Sequence, residues 1–289
     1  MEKPLSTTLK SKCNICGNNA RKAFSIVRHD EVWDIYRCGV CRTEFIYPIP
    51  EDTELAKLYD RFYRENENQI MCLNNPNYGI LSFPRQWKII EKLVKKKESR
   101  ILDYGCGGGH FLDRVSRSWG KVGVEISDRA RYIASKKTIH TVPTLEDGKF
   151  PDGYFDVIVM FATIEHLPNP KETVEKLNRV LKAGGLFVVM TGDVSSLKAK
   201  VQGNNWHLYT PPGHIFYFTR YSVDYLMRSC GYKKIKSLYT DGGVTACRWT
   251  NINLLLRMAI EIYHRIPILN TLPIFDCYYG YYIKEDKCN

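Results

Sequence analysis

No run of eighteen uncharged apolar residues occurs in the 289-residue chain, so nothing in it reads as a membrane-spanning helix. The opening MEKPLSTTLKSKC lacks the apolar core of a secretory leader, which makes the cytoplasm the expected location. No internal repeat or low-complexity tract is visible, and 44% apolar with 25% charged residues argues against disorder and for a sizeable core. Acidic residues are the scarcer charge: 31 Asp and Glu stand against 42 Lys and Arg, a net +11. That excess invites an anionic partner, whether nucleic acid, a phosphorylated substrate or acidic lipid, without choosing among them.

Ten cysteines without a leader are expected as thiols or metal ligands. Four of them form two pairs, Cys13-Asn-Ile-Cys16 and Cys38-Gly-Val-Cys41, with 21 residues between. FSIVRHD and VWDIYRC between the pairs read as short strands, giving a knuckle, a hairpin and a second knuckle. Four thiolates at this spacing suit a tetrahedral zinc ion and leave no open position, so its role is structural. A redox pair is the competing reading, but one pair would suffice and no βαβ unit surrounds either.

The expected division is a zinc ribbon over 1–50, a helical linker over 51–78 and an α/β domain over 79–289. In the linker, Leu55, Leu58, Tyr59 and Phe62 share a helical face; a further helix near 79–97 carries Phe83, Trp87, Ile90 and Val94. From residue 100 strands and helices alternate: strand 101–103, a short helix with Phe111, Leu112 and Val115, strand 122–126, helix 129–136, and an apolar strand over 155–160. Asn169-Pro170-Lys171-Glu172 predicts a capped helix start, Gly184 its stop and 186–190 the next strand. Thr219 opens another helix, ended by Gly231.

The most informative segment is Asp103-Tyr-Gly105-Cys-Gly107-Gly-Gly109, between a strand and a helix. A Gly-rich turn there lets a ligand approach backbone N–H groups. A dinucleotide fingerprint would need glycine at 110, where His110 stands. Glu125, at the end of the next strand, is placed to accept hydrogen bonds from ribose hydroxyls. A Gly-rich turn of some other α/β domain is the bland alternative. The ordered set, continuing through FPDGYFDVIVM, FATIEHLPNP and Ala183-Gly184-Gly185, resembles the class I S-adenosylmethionine-dependent methyltransferases. That resemblance implies a Rossmann-like sheet of seven mostly parallel strands, the last, near 278–283, antiparallel. It implies S-adenosylmethionine as cofactor and S-adenosylhomocysteine as product. Asp103, Gly105, Gly107 and Gly109 would wrap the methionine part and Glu125 the ribose. Ile126, Leu145, Glu146 and Phe161 complete the implied cofactor set. The ribbon, then Phe45-Ile-Tyr-Pro48-Ile-Pro50, and Gly203-Asn-Asn-Trp206 with Pro212-Gly213-His214 resemble methyltransferases encoded among bacterial and archaeal surface-glycan genes. Thr191-Gly192-Asp193 departs from the T-P-N common after strand five in that subfamily.

His166 and His214 are the candidate bases for a hydroxyl proton, with backbone-bonding roles as the alternative. His207 reads as a substrate-binding residue, and His29, His140 and His264 as structural or exposed. Residues 194–218 are expected as a substrate lid whose aromatics either stack on a ligand or pack on the core. Residues 251–275, apolar but interrupted by charges and prolines, are expected to be helical and to pack, dimerise or touch a membrane surface, including the inner face. Three functions follow: O-methylation of a sugar hydroxyl on a nucleotide sugar or surface glycan, RNA methylation with ribbon and basic helices gripping phosphates, or a non-catalytic partner subunit. The intact glycine motif speaks against the last.

Overall fold

The computed structural model describes residues 10–51, 53–55, 57, 83–240 and 269–285. The linker beyond residue 57 and most of the apolar segment 251–275, His264 included, lie outside the described residues. Of the linker, residues 53–55 are helical, with Leu55 buried.

The N-terminal unit is an antiparallel sheet of β1 (Lys10–Lys12), β2 (Asn19–Arg28), β3 (Glu31–Cys38) and β4 (Glu44–Ile46). β2 and β3 form a hairpin through His29 and Asp30, both at positive φ, the backbone that a tight two-residue turn demands. Each cysteine pair closes in the same way: Gly17 N–H donates to the Cys13 carbonyl and Arg42 N–H to that of Cys38, with Gly17 and Arg42 both left-handed. A fifth strand, β10 (Phe216–Tyr217), pairs with β4, so a piece of the expected lid extends the ribbon sheet.

The second sheet has seven strands: β5 (Arg100–Tyr104), β6 (Gly120–Val124), β7 (His140–Val142), β8 (Phe155–Phe161), β9 (Leu181–Gly192), β11 (Tyr232–Thr240) and β12 (Cys277–Lys284). Their order is β11-β12-β9-β8-β5-β6-β7; β5 to β9 run parallel and β12 is antiparallel to both its neighbours. This is the Rossmann-like architecture that the resemblance implied.

Helices α1 (Phe83–Val94), α2 (Asp128–Ser135), α3 (Pro170–Val180), α4 (Leu197–Gln202) and α5 (Arg220–Ser229) accompany the strands. Side chains alternate across β8. Ile158 and Met160 join one cluster with Ile15, Ile35 and Phe45 of the ribbon and Phe216 and Phe218. Val157 and Val159 join another with Trp87, Ile90, Phe111 and Tyr281.

Several expected boundaries differ. The helix after the glycine motif is a single 3-10 turn, Leu112–Arg114. Ser127 caps α2 by accepting from the Ala130 amide, so the helix starts one residue early. Asn169 makes no side-chain cap for α3; its Oδ1 accepts from Asn14 Nδ2 of the ribbon at 3.3 Å instead. Gly184 does not stop α3, which ends at Val180. Leu181 already pairs with Phe155, and Ala183-Gly184-Gly185 forms an irregularity inside β9, accommodated by Gly184 at φ +66°.

Candidate functional site

In a parallel sheet the loops leaving the strand ends gather on one edge, and a crevice opens where the strand order reverses. Here the chain lays β6 and β7 to one side of β5 and then returns to place β8 on the other. The loops after β5, β6 and β8 therefore meet at that edge, and they carry Gly105–Gly109, Glu125 and Thr163–His166 respectively.

Gly105, at φ +81°, has no room for a Cβ, which would run into the Thr163 side chain. Gly109 is likewise closed off by Ile139 and Ala134. Gly107 differs: a Cβ there would meet nothing within 4 Å, so this glycine keeps a path open to the loop. Glu125 is 4% exposed; its Oε2 accepts from Gly107 N–H and its Oε1 from Ser127 N–H, each at 2.9 Å. Burial pushes its carboxyl above the usual range, and the two amides pull against that. Each oxygen keeps a second lone pair for a hydroxyl donor. Ile126, next to it, is 60% exposed. Leu145 is buried, Glu146 pairs with Lys176 at 3.2 Å, and the Phe161 ring packs edge-on against Phe111 and Tyr279. These positions suit a cationic cofactor carrying a diol: an open backbone path, a buried acid beside it and an apolar surface.

Asp103, also buried, is pushed up to about 8 by burial first and by the Glu125 charge second. The folded chain then holds a proton that the unfolded chain releases near 3.8. Stability of the cofactor-free protein should therefore fall as pH rises between those values. Denaturant unfolding at pH 5 and pH 8 should show the loss, and Asp103→Asn should flatten it; an equal slope in the variant would assign the effect elsewhere.

Past β8, Ala162 adopts φ +50°, an uncommon backbone for alanine, with its N–H on the Met190 carbonyl. The chain then turns through Ile164–His166. His166 Nδ1 lies 2.7 Å from the Gly213 carbonyl and His214 Nδ1 2.8 Å from that of Leu208. A carbonyl only accepts, so both Nδ1 atoms carry the proton and the basic lone pair of each neutral ring is on Nε2. The rings stand edge to face, centroids 4.7 Å apart, and burial together with the His166 charge lowers His214 to about 3. Buried Glu165 lies beside them, and its Oε2 accepts from Thr191 Oγ1 at 3.0 Å. Burial raises this carboxyl and the His166 charge opposes the rise. Glu165 is not among the expected site residues, although an acid beside a histidine after an apolar strand is a signal legible in the sequence.

The expected lid is a packed segment rather than a free flap. Trp206 is 1% exposed and donates Nε1–H to Asp276, and Tyr209 donates its hydroxyl to Glu44 at 2.6 Å. Stacking of these rings on a ligand is thus replaced by core packing. His207 pairs with Gln202 at 3.1 Å, and His29 and His140 lie away from the site, at the β2–β3 turn and exposed on β7.

At the ribbon, the four cysteine sulfurs lie within 4.8 Å of one another, with Cys13–Cys41 at 3.5 Å and Cys16–Cys38 at 3.4 Å. A tetrahedron with bonds of about 2.3 Å has edges of roughly 3.8 Å, so the set fits zinc after a small adjustment. The hydrogen bond between Cys13 and Cys41 raises the first thiol and lowers the second to about 5, a charge imbalance that a dication would remove by taking both as thiolates. Among the described residues no helix is long and apolar enough to cross a membrane.

A family model described as a methyltransferase domain matches residues 82–237. An uncharacterized protein of Methanocaldococcus jannaschii is 26% identical over 186 residues, covering 64% of this chain and 82% of that protein. The ubiquinone biosynthesis O-methyltransferase of Albidiferax ferrireducens is 26% identical over 147 residues, 47% of this chain and 56% of that enzyme, so the chain spans little more than half of that relative. Among solved structures, an S-adenosylmethionine-dependent methyltransferase of Thermotoga maritima has the same fold, with a TM-score of 0.54 at 20% identity over 79% of this chain and 99% of that one.

Proposed function

The chain belongs to the methyltransferase-domain family, and from that premise we propose that it methylates a sugar hydroxyl, on a nucleotide sugar or a surface glycan, using S-adenosylmethionine. The observation that carries an oxygen acceptor is the imidazole pair: two rings fixed as Nδ1–H tautomers present Nε2 as the atom that can take a hydroxyl proton. S-adenosylmethionine supplies an electrophilic methyl group on a sulfonium sulfur. Asp103, Gly105, Gly107 and Gly109 would hold its methionine part and Glu125 its ribose, with Ile126, Leu145, Glu146 and Phe161 around the remainder. His166 takes the acceptor proton. His214, held down at about 3, stays neutral across the working range and is a poor proton acceptor. Aligning acceptor and methyl carbon supplies most of the acceleration, and enclosing them keeps water out. The oxygen acceptor agrees with the named activity of the ubiquinone relative, and the excess of positive charge suits a phosphate-bearing acceptor. Cys13, Cys16, Cys38 and Cys41 hold a structural zinc ion.

Labelled S-adenosylmethionine offered with nucleotide sugars, oligosaccharides, lipid-linked glycans and bulk RNA tests the acceptor. Label in a carbohydrate is expected; label in RNA alone would make this an RNA methyltransferase. Calorimetry tests the cofactor. Glu125→Ala removes the acceptor for two ribose hydroxyls, each charge-assisted bond worth ~1.5–3 kcal/mol, so affinity should fall about tenfold or more. An unchanged dissociation constant would move the ribose elsewhere, and no binding by the wild type at millimolar ligand would leave a non-catalytic subunit.

A further inference from the structure

The cysteine ribbon stands on the acceptor side of the site, and its contacts converge on the segment that fixes both imidazoles. Asn14, between the first two cysteines, donates Nδ2–H to the Pro168 carbonyl at 3.0 Å, two residues beyond His166. On the ribbon's other edge, Ile46 N–H donates to the Ile215 carbonyl at 3.0 Å, and Ile215 N–H in turn donates to the Glu165 carbonyl at 2.8 Å. Residue 215 thus lies between ribbon and catalytic loop, with His214 immediately before it. The carbonyls that set the two tautomers, Leu208 and Gly213, belong to the turn leading into this strand. The ribbon grips that turn from the far side: Arg28 donates Nε–H to the Tyr209 carbonyl at 2.9 Å and Nη2–H to that of Asn204 at 2.8 Å. Glu44 accepts the Tyr209 hydroxyl, and Phe24 meets the Tyr209 ring edge-on at 5.8 Å. The cofactor side is built differently. Its hydrogen bonds run between Gly107, Glu125 and Ser127, all within the large α/β unit.

We infer that the ribbon is the positioning element for the acceptor half of the site: Asn14 holds the chain just beyond His166 at Pro168, and Arg28 and Glu44 hold the 204–215 segment, so that His166 and His214 keep their Nδ1–H tautomers and their place. They touch neither cofactor nor acceptor, so they are positioning residues. For its activity arm the inference rests on the methyl-transfer reading; its structural arm does not. Thermodynamically, the cofactor half can be complete while the acceptor half is displaced, because the ribbon's hydrogen bonds described above run to the acceptor half.

The test uses the full chain with Asn14→Ala, Arg28→Ala and Tyr209→Phe, none of which removes a cysteine. Zinc content, S-adenosylmethionine affinity, kcat on the acceptor found above, and long-range ¹H–¹⁵N spectra of the histidines are read together. Displacing a reacting group by about 1 Å can cost on the order of 10²-fold, so Arg28→Ala and Asn14→Ala should each lower kcat by about ten- to a hundredfold. Zinc should remain at one equivalent, and the cofactor dissociation constant should stay within about twofold. The spectra should lose the single Nδ1–H pattern of His166 and His214. Unchanged kcat and tautomers in all three variants would overturn the inference. So would cofactor affinity falling in parallel with kcat, because a loss shared by both halves marks general destabilisation. If the wild type transfers methyl to no acceptor, the proposed function fails, while the histidine spectra still decide this point.

Discussion

His166→Ala is expected to lower kcat by about 10²–10⁴-fold while the affinity for S-adenosylmethionine stays nearly constant. The size follows from the geometry. Nδ1–H of this ring is committed to the Gly213 carbonyl, which turns Nε2 into the proton-accepting atom at the end of β8. His166→Asn separates the two roles, because its amide can still donate towards Gly213 but has no basic nitrogen. It should be about as slow as alanine. His214→Ala should cost less, since a ring lowered to about 3 is a poor proton acceptor; its loss acts through packing against His166. Turnover slowed no more than a few-fold in every one of these variants would assign the proton to another group or to water.

Cys38→Ser is expected to release the metal and unfold the ribbon. A site of this kind contributes roughly 10–16 kcal/mol of apparent binding energy at neutral pH, and in so small a unit that energy is folding energy. Cys13, Cys38 and Cys41 are buried in one cluster with Ile15, Ile35 and Phe45, so loss of the metal also opens an apolar core. Freshly purified wild-type protein, kept from chelators, should carry one zinc per chain by elemental analysis, and the variant almost none. Less than half an equivalent in the wild type would remove zinc from the account. Ribbon unfolding is read from the loss of the ¹H–¹⁵N resonances of β2 and β3; retention of those resonances in metal-free protein would show that the sheet stands on its packing alone.

The parts legible in the sequence are those where local chemistry and local geometry coincide. Asp103 to Gly109 announces a strand, a tight turn and a ligand path in seven residues, and the two cysteine pairs announce their own knuckles. Strand β8 is legible because burial on both faces leaves an unbroken apolar run. What escaped depends on partners far along the chain. β10 is two residues long, too short for any periodicity, and exists as a strand only because Phe45 lies opposite Phe216. Nor does the sequence say that Leu181 pairs before the glycines of β9 do, since a helix stop and a strand irregularity both favour Gly184 at positive φ. Asn169 fits the cap pattern, yet its side chain is taken by Asn14, a choice no local rule contains. The aromatic run from Trp206 has the composition of a stacking surface, and Asp276 and Glu44, distant in sequence, hold Trp206 and Tyr209 inward.

The pairing of residue 45 with residue 216 also has a consequence for how the chain is made. On the ribosome the ribbon emerges before the large sheet, and its knuckles can take up metal at once, but its edge strand must wait until most of that sheet has been synthesised. During that interval β4 presents unpaired backbone groups beside Phe45 and Ile46, a template for pairing with another nascent chain. The contact is long-range enough to slow the final docking relative to either sheet's own assembly. Truncation at residue 50 does not release two tidy modules: it strips the last strand from one sheet and leaves an apolar, open-edged segment on the other. Expression of the separate pieces should yield aggregates, and mixing them during refolding should recover more soluble protein than either piece alone.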